Sequence, residues 1–442
     1  MVTDERQRPL RRPRWRRAAL LAAGLALPAS CRDHRPPSPP PASRQPAVPS
    51  ATVPAAPSPT ARSFYADHFS RQATVPELTA LGRALFFSPQ LSVSGQMSCA
   101  TCHDPAFAYG PPNGRATQLG GPGMDTPGLR AVPSLRYLQN VPPFEEHHFD
   151  EAVEDSTDQG PTGGHAWDGR ANTTHDQARL PLTSSFEMAN PSVEAVVTRL
   201  EKGPLAARFR AVFGDDVFAE RARAVTALLK CLEVFQQSPQ NFYPYSSRYD
   251  AYLRGQGTLT PAEQRGLALF NAPKKGNCAS CHPSQRRKGA FPHFTDFGFN
   301  ALGVPRNGAL PANDDPAYFD LGLCGPVRTD LTGHGEYCGF FRVPGLRNTA
   351  ARHVYFHNGL FHTLEQVMNF YVARDTSPAK FYPKAHGRVD AFDDLPPQHR
   401  KNVNHEPPFG GRPGAPPALT QAEIRDVIAF LGTLTDADVK RR

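Results

Sequence analysis

The sequence predicts a mainly α-helical fold in two similar halves, and three observations predict it. Cys99-Ala100-Thr101-Cys102-His103 recurs as Cys278-Ala279-Ser280-Cys281-His282. The lead-ins recur as well, Gly82-Arg83-Ala84-Leu85-Phe86 before the first run and Gly266-Leu267-Ala268-Leu269-Phe270 before the second. Strand-like alternation is scarce, whereas apolar residues at helical spacing are frequent. A Cys-x-x-Cys-His run lets two thiols add to the vinyl groups of one haem while the next imidazole meets its iron. A single run could also be a zinc half-site or a redox dithiol; two runs with matched lead-ins favour haem. The expected architecture is therefore two cytochrome c-like helical domains, each with one covalent haem, long loops and little β structure.

Taken in order, residues 1–31 have the make-up of a secretory leader. Seven arginines up to Arg17 oppose only Asp4 and Glu5, and an apolar stretch covers 18–27. That stretch is too short to cross a bilayer as a permanent helix. It leads into Leu27-Pro28-Ala29-Ser30-Cys31, which is similar to a bacterial lipobox and makes Cys31 a lipidation candidate. An ordinary secretory signal ending near a cysteine is the alternative. Either way the chain is expected to be exported to the bacterial periplasm, as covalent haem attachment requires, with membrane contact only through a lipid anchor. Residues 32–62 are rich in Pro, Ala and Ser and cannot bury enough surface to fold, so they read as an extended tether.

The formal net charge of +8 is concentrated in that leader. Beyond it no basic stripe is interleaved with aromatic residues, and nucleic acid is excluded as a partner.

Two domains are expected after the tether, 63–255 and 256–442. Val225, Leu228, Leu229, Leu232 and Phe235 have helical spacing and close the first, with Cys231 among them as an inert core thiol. Thr260-Pro261-Ala262-Glu263 is a capping box with proline at the first helical position, opening the helix that leads to Cys278. Thr420-Gln421-Ala422-Glu423 is another, followed by Ile424, Val427, Ile428 and Leu431, and closes the second domain. Cys324 and Cys338 share a Gly/Pro-rich loop in an oxidising compartment, which favours a disulfide. So short a closed loop stabilises by about 3 kcal/mol in the chain-entropy model. The loops 142–164 and 381–417 are longer than usual, and such loops serve a function or cover a cofactor.

Further motifs extend from about Leu78 to Leu434: Leu85-Phe86-Phe87-Ser88-Pro89, Trp167-Asp168-Gly169-Arg170-Ala171, Phe186-Glu187-Met188, Pro344-Gly345-Leu346-Arg347-Asn348 and Phe356-His357-Asn358-Gly359. In these the sequence resembles the bacterial diheme cytochrome c peroxidases and the related enzyme MauG. The resemblance implies that His103 and His282 ligate the two irons and that the first haem reacts with hydrogen peroxide. Trp167 corresponds to the tryptophan between the haems. Glu187 corresponds to the acid/base carboxylate over the first haem, with Gln177 and Pro181 at distal-pocket positions. Without the family, Trp167 would read as a core indole beside an Asp-Gly turn and Glu187 as a solvated surface charge.

The departures from the peroxidase pattern redirect the reading. Gly120-Gly121 stands where many relatives carry a distal histidine, so the first haem is expected to be five-coordinate. Tyr371 aligns with the methionine that ligates the second haem in the peroxidases, and MauG uses tyrosine there; Met368 is the fallback ligand. Methionine raises a haem's potential, whereas phenolate lowers it and stabilises oxidised iron. Gly276 replaces the tryptophan through which MauG exchanges electrons with its protein substrate. The calcium-binding asparagine is replaced by Ala131, which leaves only backbone carbonyls near Arg352 and Val354 for calcium.

The Cys324/Cys338 loop, the 145–164 insertion and Asn402-Val403-Asn404-His405-Glu406-Pro407-Pro408 resemble the MbnH-type branch, whose members are associated with copper handling and oxidise tryptophan of a partner protein. The leading expectation is a periplasmic diheme oxidase that uses hydrogen peroxide to form high-valent haem and oxidise a secreted partner protein. The alternatives are a cytochrome c peroxidase drawing electrons from a small redox protein, and a non-enzymatic diheme electron carrier.

Overall fold

Apolar residues three and four apart give the first helix one buried face, formed by Leu78, Leu81, Leu85 and Phe86. This computed structural model describes residues 69–149 and 156–440. The leader, Cys31 and the 32–62 segment lie outside the described residues. The described helices are α1 (Val75–Phe86), α2 (Cys99–Cys102), α3 (Thr174–Thr183), α4 (Val193–Glu201), α5 (Ala206–Phe213), α6 (Arg221–Gln236), α7 (Pro239–Phe242), α8 (Arg248–Leu253), α9 (Pro261–Asn271), α10 (Leu364–Ala373) and α11 (Gln421–Gly432). None is long and apolar enough to cross a membrane. Among the described residues, strand is confined to three antiparallel pairs of two residues each: β1 (Leu119–Gly120) with β2 (Thr126–Pro127), β3 (Phe299–Asn300) with β4 (Phe341–Arg342), and β5 (Lys384–Ala385) with β6 (Arg388–Val389).

The repeated lead-ins turn out to be a repeated helix crossing. α1 packs on α6, and a Cβ at Gly82 would lie 2.0 Å from the Cys231 carbonyl oxygen and 2.8 Å from Phe235 Cβ. α9 packs on α11, and a Cβ at Gly266 would lie 2.0 Å from the Asp426 carbonyl oxygen and 2.9 Å from Phe430 Cβ. Only glycine lets these backbones come so close. Each crossing anchors its own buried cluster. One draws on residues between Ala73 and Phe242, including the Phe86–Phe235 edge contact at 5.4 Å. The other draws on residues between Tyr249 and Leu434, including Phe270–Phe430 at 5.2 Å.

The capping boxes read at Thr260/Glu263 and Thr420/Glu423 are both formed, with α9 and α11 starting at the expected residues. α1 has a third, Thr74 with Glu77, and proline in its first turn. A buried ion pair ties the two clusters: Arg136 reaches Asp436 at 2.9 Å, where the Tyr137 hydroxyl also donates at 2.7 Å. Within the second half, Arg347 binds Asp250 at 2.8 and 2.9 Å. Cys324 and Cys338 form a disulfide across a separation of 14 residues. The long 381–417 loop is not structureless: it contains the β5–β6 hairpin and a 3-10 turn at Pro397–Asn402.

Candidate active site

Both Cys-x-x-Cys-His runs fold alike. The His103 amide donates to the Cys99 carbonyl at 2.9 Å, and the His282 amide to the Cys278 carbonyl at 2.8 Å. Each imidazole then commits Nδ1 to a carbonyl, that of Tyr109 at 3.0 Å for His103 and that of Phe294 at 2.7 Å for His282. This orientation presents Nε2 to a metal, the usual arrangement of a ligating histidine. Burial pulls both imidazoles down to about 4, so each is neutral with a lone pair to offer. The four motif thiols are not in disulfides. Among the described residues, no group of three or more His, Cys, Asp or Glu side chains is arranged to hold a metal ion by itself. That donor set suits an iron whose other ligands come from a macrocycle.

Around the first run the chain brings Glu187 into electrostatic contact with Cys99 and Cys102. Burial raises the Glu187 carboxyl above its ordinary value, with the Arg170 charge opposing. Gln177 and Pro181 lie one turn apart on α3, both half-buried beside the core residues Ala178 and Leu182. The turn after α3 is fixed by backbone bonds from Glu187 to Ser184 and from Met188 to Pro181. Against this turn lies β1. The Gly121 amide donates to the Glu187 carbonyl at 2.8 Å, and a Cβ at Gly120 would meet the Phe186 oxygen at 2.4 Å and Glu187 Cα at 3.0 Å. No side chain, histidine included, can stand at 120 while this contact persists.

Around the second run lies a cavity of about 230 Å³. Cys278, Cys281 and His282 line it, facing Tyr371 and Met368 of α10, and Trp167 also reaches it. Met368 is 6% exposed and packs into the core, whereas Tyr371 is electrostatically coupled to both Cys278 and Cys281. Burial, helped by the Cys281 and Cys278 thiols and opposed by the Arg374 charge, pushes the Tyr371 phenol up. Its ring stacks on Phe409 at 5.2 Å. Phe409 belongs to the 381–417 loop, which contributes Glu406, Pro407 and Pro408 to the cavity wall and so covers it. A Cβ at Gly276 would meet the Leu269 oxygen at 2.7 Å, so a large side chain there requires the backbone to move.

Trp167 is held rigidly. Its indole N–H donates to the Ala131 carbonyl at 2.7 Å, and its own carbonyl accepts from the Arg342 amide at 2.8 Å. Asp168 beside it is fully buried between Arg130 at 2.6 Å and Arg170 at 2.8 Å, and Arg130 continues to Asp320. The cavity also exposes features that sequence reasoning did not single out. Arg342 is buried, pulled down to about 10 by burial, and paired with no carboxylate among the described residues. A cofactor bearing carboxylates fits that environment. Its only signal in the sequence is a cation inside the apolar run Phe340-Phe341-Arg342-Val343-Pro344. Cys231 lies buried in α6, and the disulfide does not line the cavity.

Comparison with known proteins agrees with this geometry. Residues 76–258 match the family model described as di-haem cytochrome c peroxidase. The methylamine utilization protein MauG of Paracoccus denitrificans (strain Pd 1222) is 33% identical over 379 residues, covering 81% of this chain and 88% of that protein. Cytochrome c peroxidase Ccp of Escherichia coli (strain K12) is 30% identical over 297 residues, 66% of this chain and 52% of that one. The crystal structure of the diheme peroxidase BthA from Burkholderia thailandensis E264 superposes with a TM-score of 0.73 at 42% identity, over 83% of this chain and 87% of that one. A MauG-like protein associated with microbial copper homeostasis superposes with a TM-score of 0.57 at 25% identity, over 83% and 93%.

Proposed function

Since this chain belongs to the di-haem cytochrome c peroxidase family that includes MauG, oxidoreductases acting with peroxide, we propose that it uses hydrogen peroxide to oxidise a partner protein in the periplasm. The observation that carries the reading is Tyr371, a half-buried phenol on the wall that faces Cys278, Cys281 and His282. Membership of an enzyme family sets the electron-carrier alternative aside. We read residues 63–255 and 256–442 as two cytochrome c-like domains, loaded through Cys99 and Cys102 and through Cys278 and Cys281. Cys31 is the proposed lipid attachment point. A link to copper handling draws support from the likeness to the copper-associated MauG-like protein, and tryptophan as the oxidised residue rests on the MbnH-type resemblance of the Cys324/Cys338 loop and the 402–408 segment alone.

When bound, the haems supply iron that can take oxidising equivalents from peroxide, held by His103 in one domain and by His282 and Tyr371 in the other. Hydrogen peroxide takes up two electrons and two protons and leaves as two waters, and the two electrons come from the partner. Glu187 handles one of those protons: its carboxylate accepts it from one peroxide oxygen and returns it to the other, so that water departs. An apolar pocket suits that task, because desolvation keeps the carboxyl poised nearer neutrality. The Gln177 amide orients the peroxide, and Pro181, lacking a ligating group, leaves the space open. Trp167 relays electrons between the two sites, its ring fixed by the Ala131 bond so that no reorientation is needed.

A second reading, a peroxidase fed by a small redox protein, draws support from Met368 on the same wall. Ferric absorption and EPR spectra separate the two. We expect one high-spin and one low-spin haem. Tyr371→Phe should alter the low-spin signal, and Met368→Ala should leave it intact. The opposite pattern makes methionine the ligand and the simple peroxidase the better reading.

A further inference from the structure

We infer that the guanidinium of Arg352 is a built-in cation that replaces calcium between the two haem sites, stapling them together and placing a fixed positive charge beside both. The inference rests on the two-haem reading. Calcium needs six to eight oxygens at 2.3–2.6 Å, and the segment where the family resemblance would put it offers no such set. Ala131 has no side-chain oxygen. Its carbonyl accepts from the Trp167 indole at 2.7 Å. The Val354 carbonyl accepts from Arg352 Nε at 3.2 Å, and the Val132 carbonyl from Arg352 Nη2 at 2.9 Å. The Tyr355 hydroxyl donates to the Thr349 carbonyl at 3.0 Å and lies 3.3 Å from the Arg352 carbonyl. The Val132 and Val354 carbonyls thus meet guanidinium N–H donors, and a dication would have to sit against that guanidinium.

The same two bonds give Arg352 its role. Val132 lies on the first-site loop, next to Pro133, whose backbone contacts the His103 imidazole. Val354 lies on the second-site side, in the segment that pairs Tyr355 with Phe361. One planar fork thus bridges the two loops. Its charge is felt at His103, where it opposes protonation, and its side chain lines the second cavity. Burial draws Arg352 down to about 10, which still leaves it cationic at neutral pH. Unlike a bound metal, such a cation cannot be removed by a chelator.

The test uses the loaded enzyme. Its mass should first show two haems; a single haem would strike the two-haem reading and this inference with it. With two haems present, wild-type enzyme should carry substoichiometric calcium by elemental analysis. EGTA or added calcium should then leave both the ferric spectrum and the spectroelectrochemical midpoint potentials unchanged. Stoichiometric calcium, or potentials that move with EGTA, overturns the role of Arg352 alone and needs no variant to show it. In Arg352→Met both midpoint potentials should fall together, and Arg352→Lys should restore part of the shift. Adding Ala131→Asn to Arg352→Ala should create a calcium-dependent spectrum. Unchanged potentials in Arg352→Met with both haems retained would also overturn the inference.

Discussion

Glu187 is the side chain on which turnover depends most under the proposed mechanism. Glu187→Gln keeps the size and removes the proton acceptor, so the reaction with peroxide should slow by about 10²–10⁴-fold while the ferric spectra stay as in the wild type. Stopped-flow absorbance checks this, and unchanged kinetics would make Glu187 a bystander. The carboxylate form is the active one, and burial raises its pKa above the ordinary 4.5. The rate should therefore fall as pH drops through a value above 4.5, and that acid limb should vanish in Glu187→Gln. Residue-scale placement was legible where a motif marked it: Glu187 falls beside Cys99 and Cys102, and Trp167 and Tyr371 line the cavity beside Cys278 and His282. Arg342 and Arg352 were not, because a sequence shows an arginine without showing that the chain wraps it away from water.

At the scale of elements, the two glycine-mediated helix crossings make opposite demands on the same residue type. By intrinsic propensity Gly266→Ala in a helix interior should stabilise by about 1 kcal/mol. The added Cβ, however, would meet the Asp426 carbonyl oxygen at 2.0 Å. Forcing α9 from α11 should cost about 1–3 kcal/mol or more, so the net effect should be a lower Tm. A higher Tm would mean that the crossing is looser than described. Helix starts were legible at Thr260/Glu263 and Thr420/Glu423, and the box at Thr74 and Glu77 carries the same signature although it was not singled out. The two-residue strands were not legible. Phe299 and Arg342, 43 positions apart, pair because tertiary packing brings them together, not because either segment alternates.

For the whole molecule, buried ion pairs add to the apolar packing, and Arg347 with Asp250 is the one that fixes α8 within the second half. Asp250 is desolvated, yet the Arg347 guanidinium holds its carboxyl below the ordinary 3.8. Such a depressed acid contributes stability that is present above its unfolded value and is lost as pH falls through its folded one. Asp250→Asn leaves Arg347 buried without a counter-charge and should cost about 3–5 kcal/mol, read as a lower denaturant midpoint at neutral pH. The gap between wild type and variant should narrow once the pH falls below the folded value.

The cavity beside His282 has a consequence for how the protein is made. Left empty, about 230 Å³ of interior would cost on the order of 5 kcal/mol at the empirical price of cavities, comparable with the whole margin of a small domain. On the two-haem reading the polypeptide alone is an unfinished object, and attachment through Cys278 and Cys281 would be the last step of its folding. A Cys278→Ser/Cys281→Ser chain should be cleaved rapidly by protease in the second half, while the wild type resists and carries two haems by mass. Equal resistance would show that the cavity closes without its cofactor. Loading would then act as a checkpoint in biogenesis: chains without their pigment would be removed, and an oxidant-handling enzyme would not be left circulating half-built.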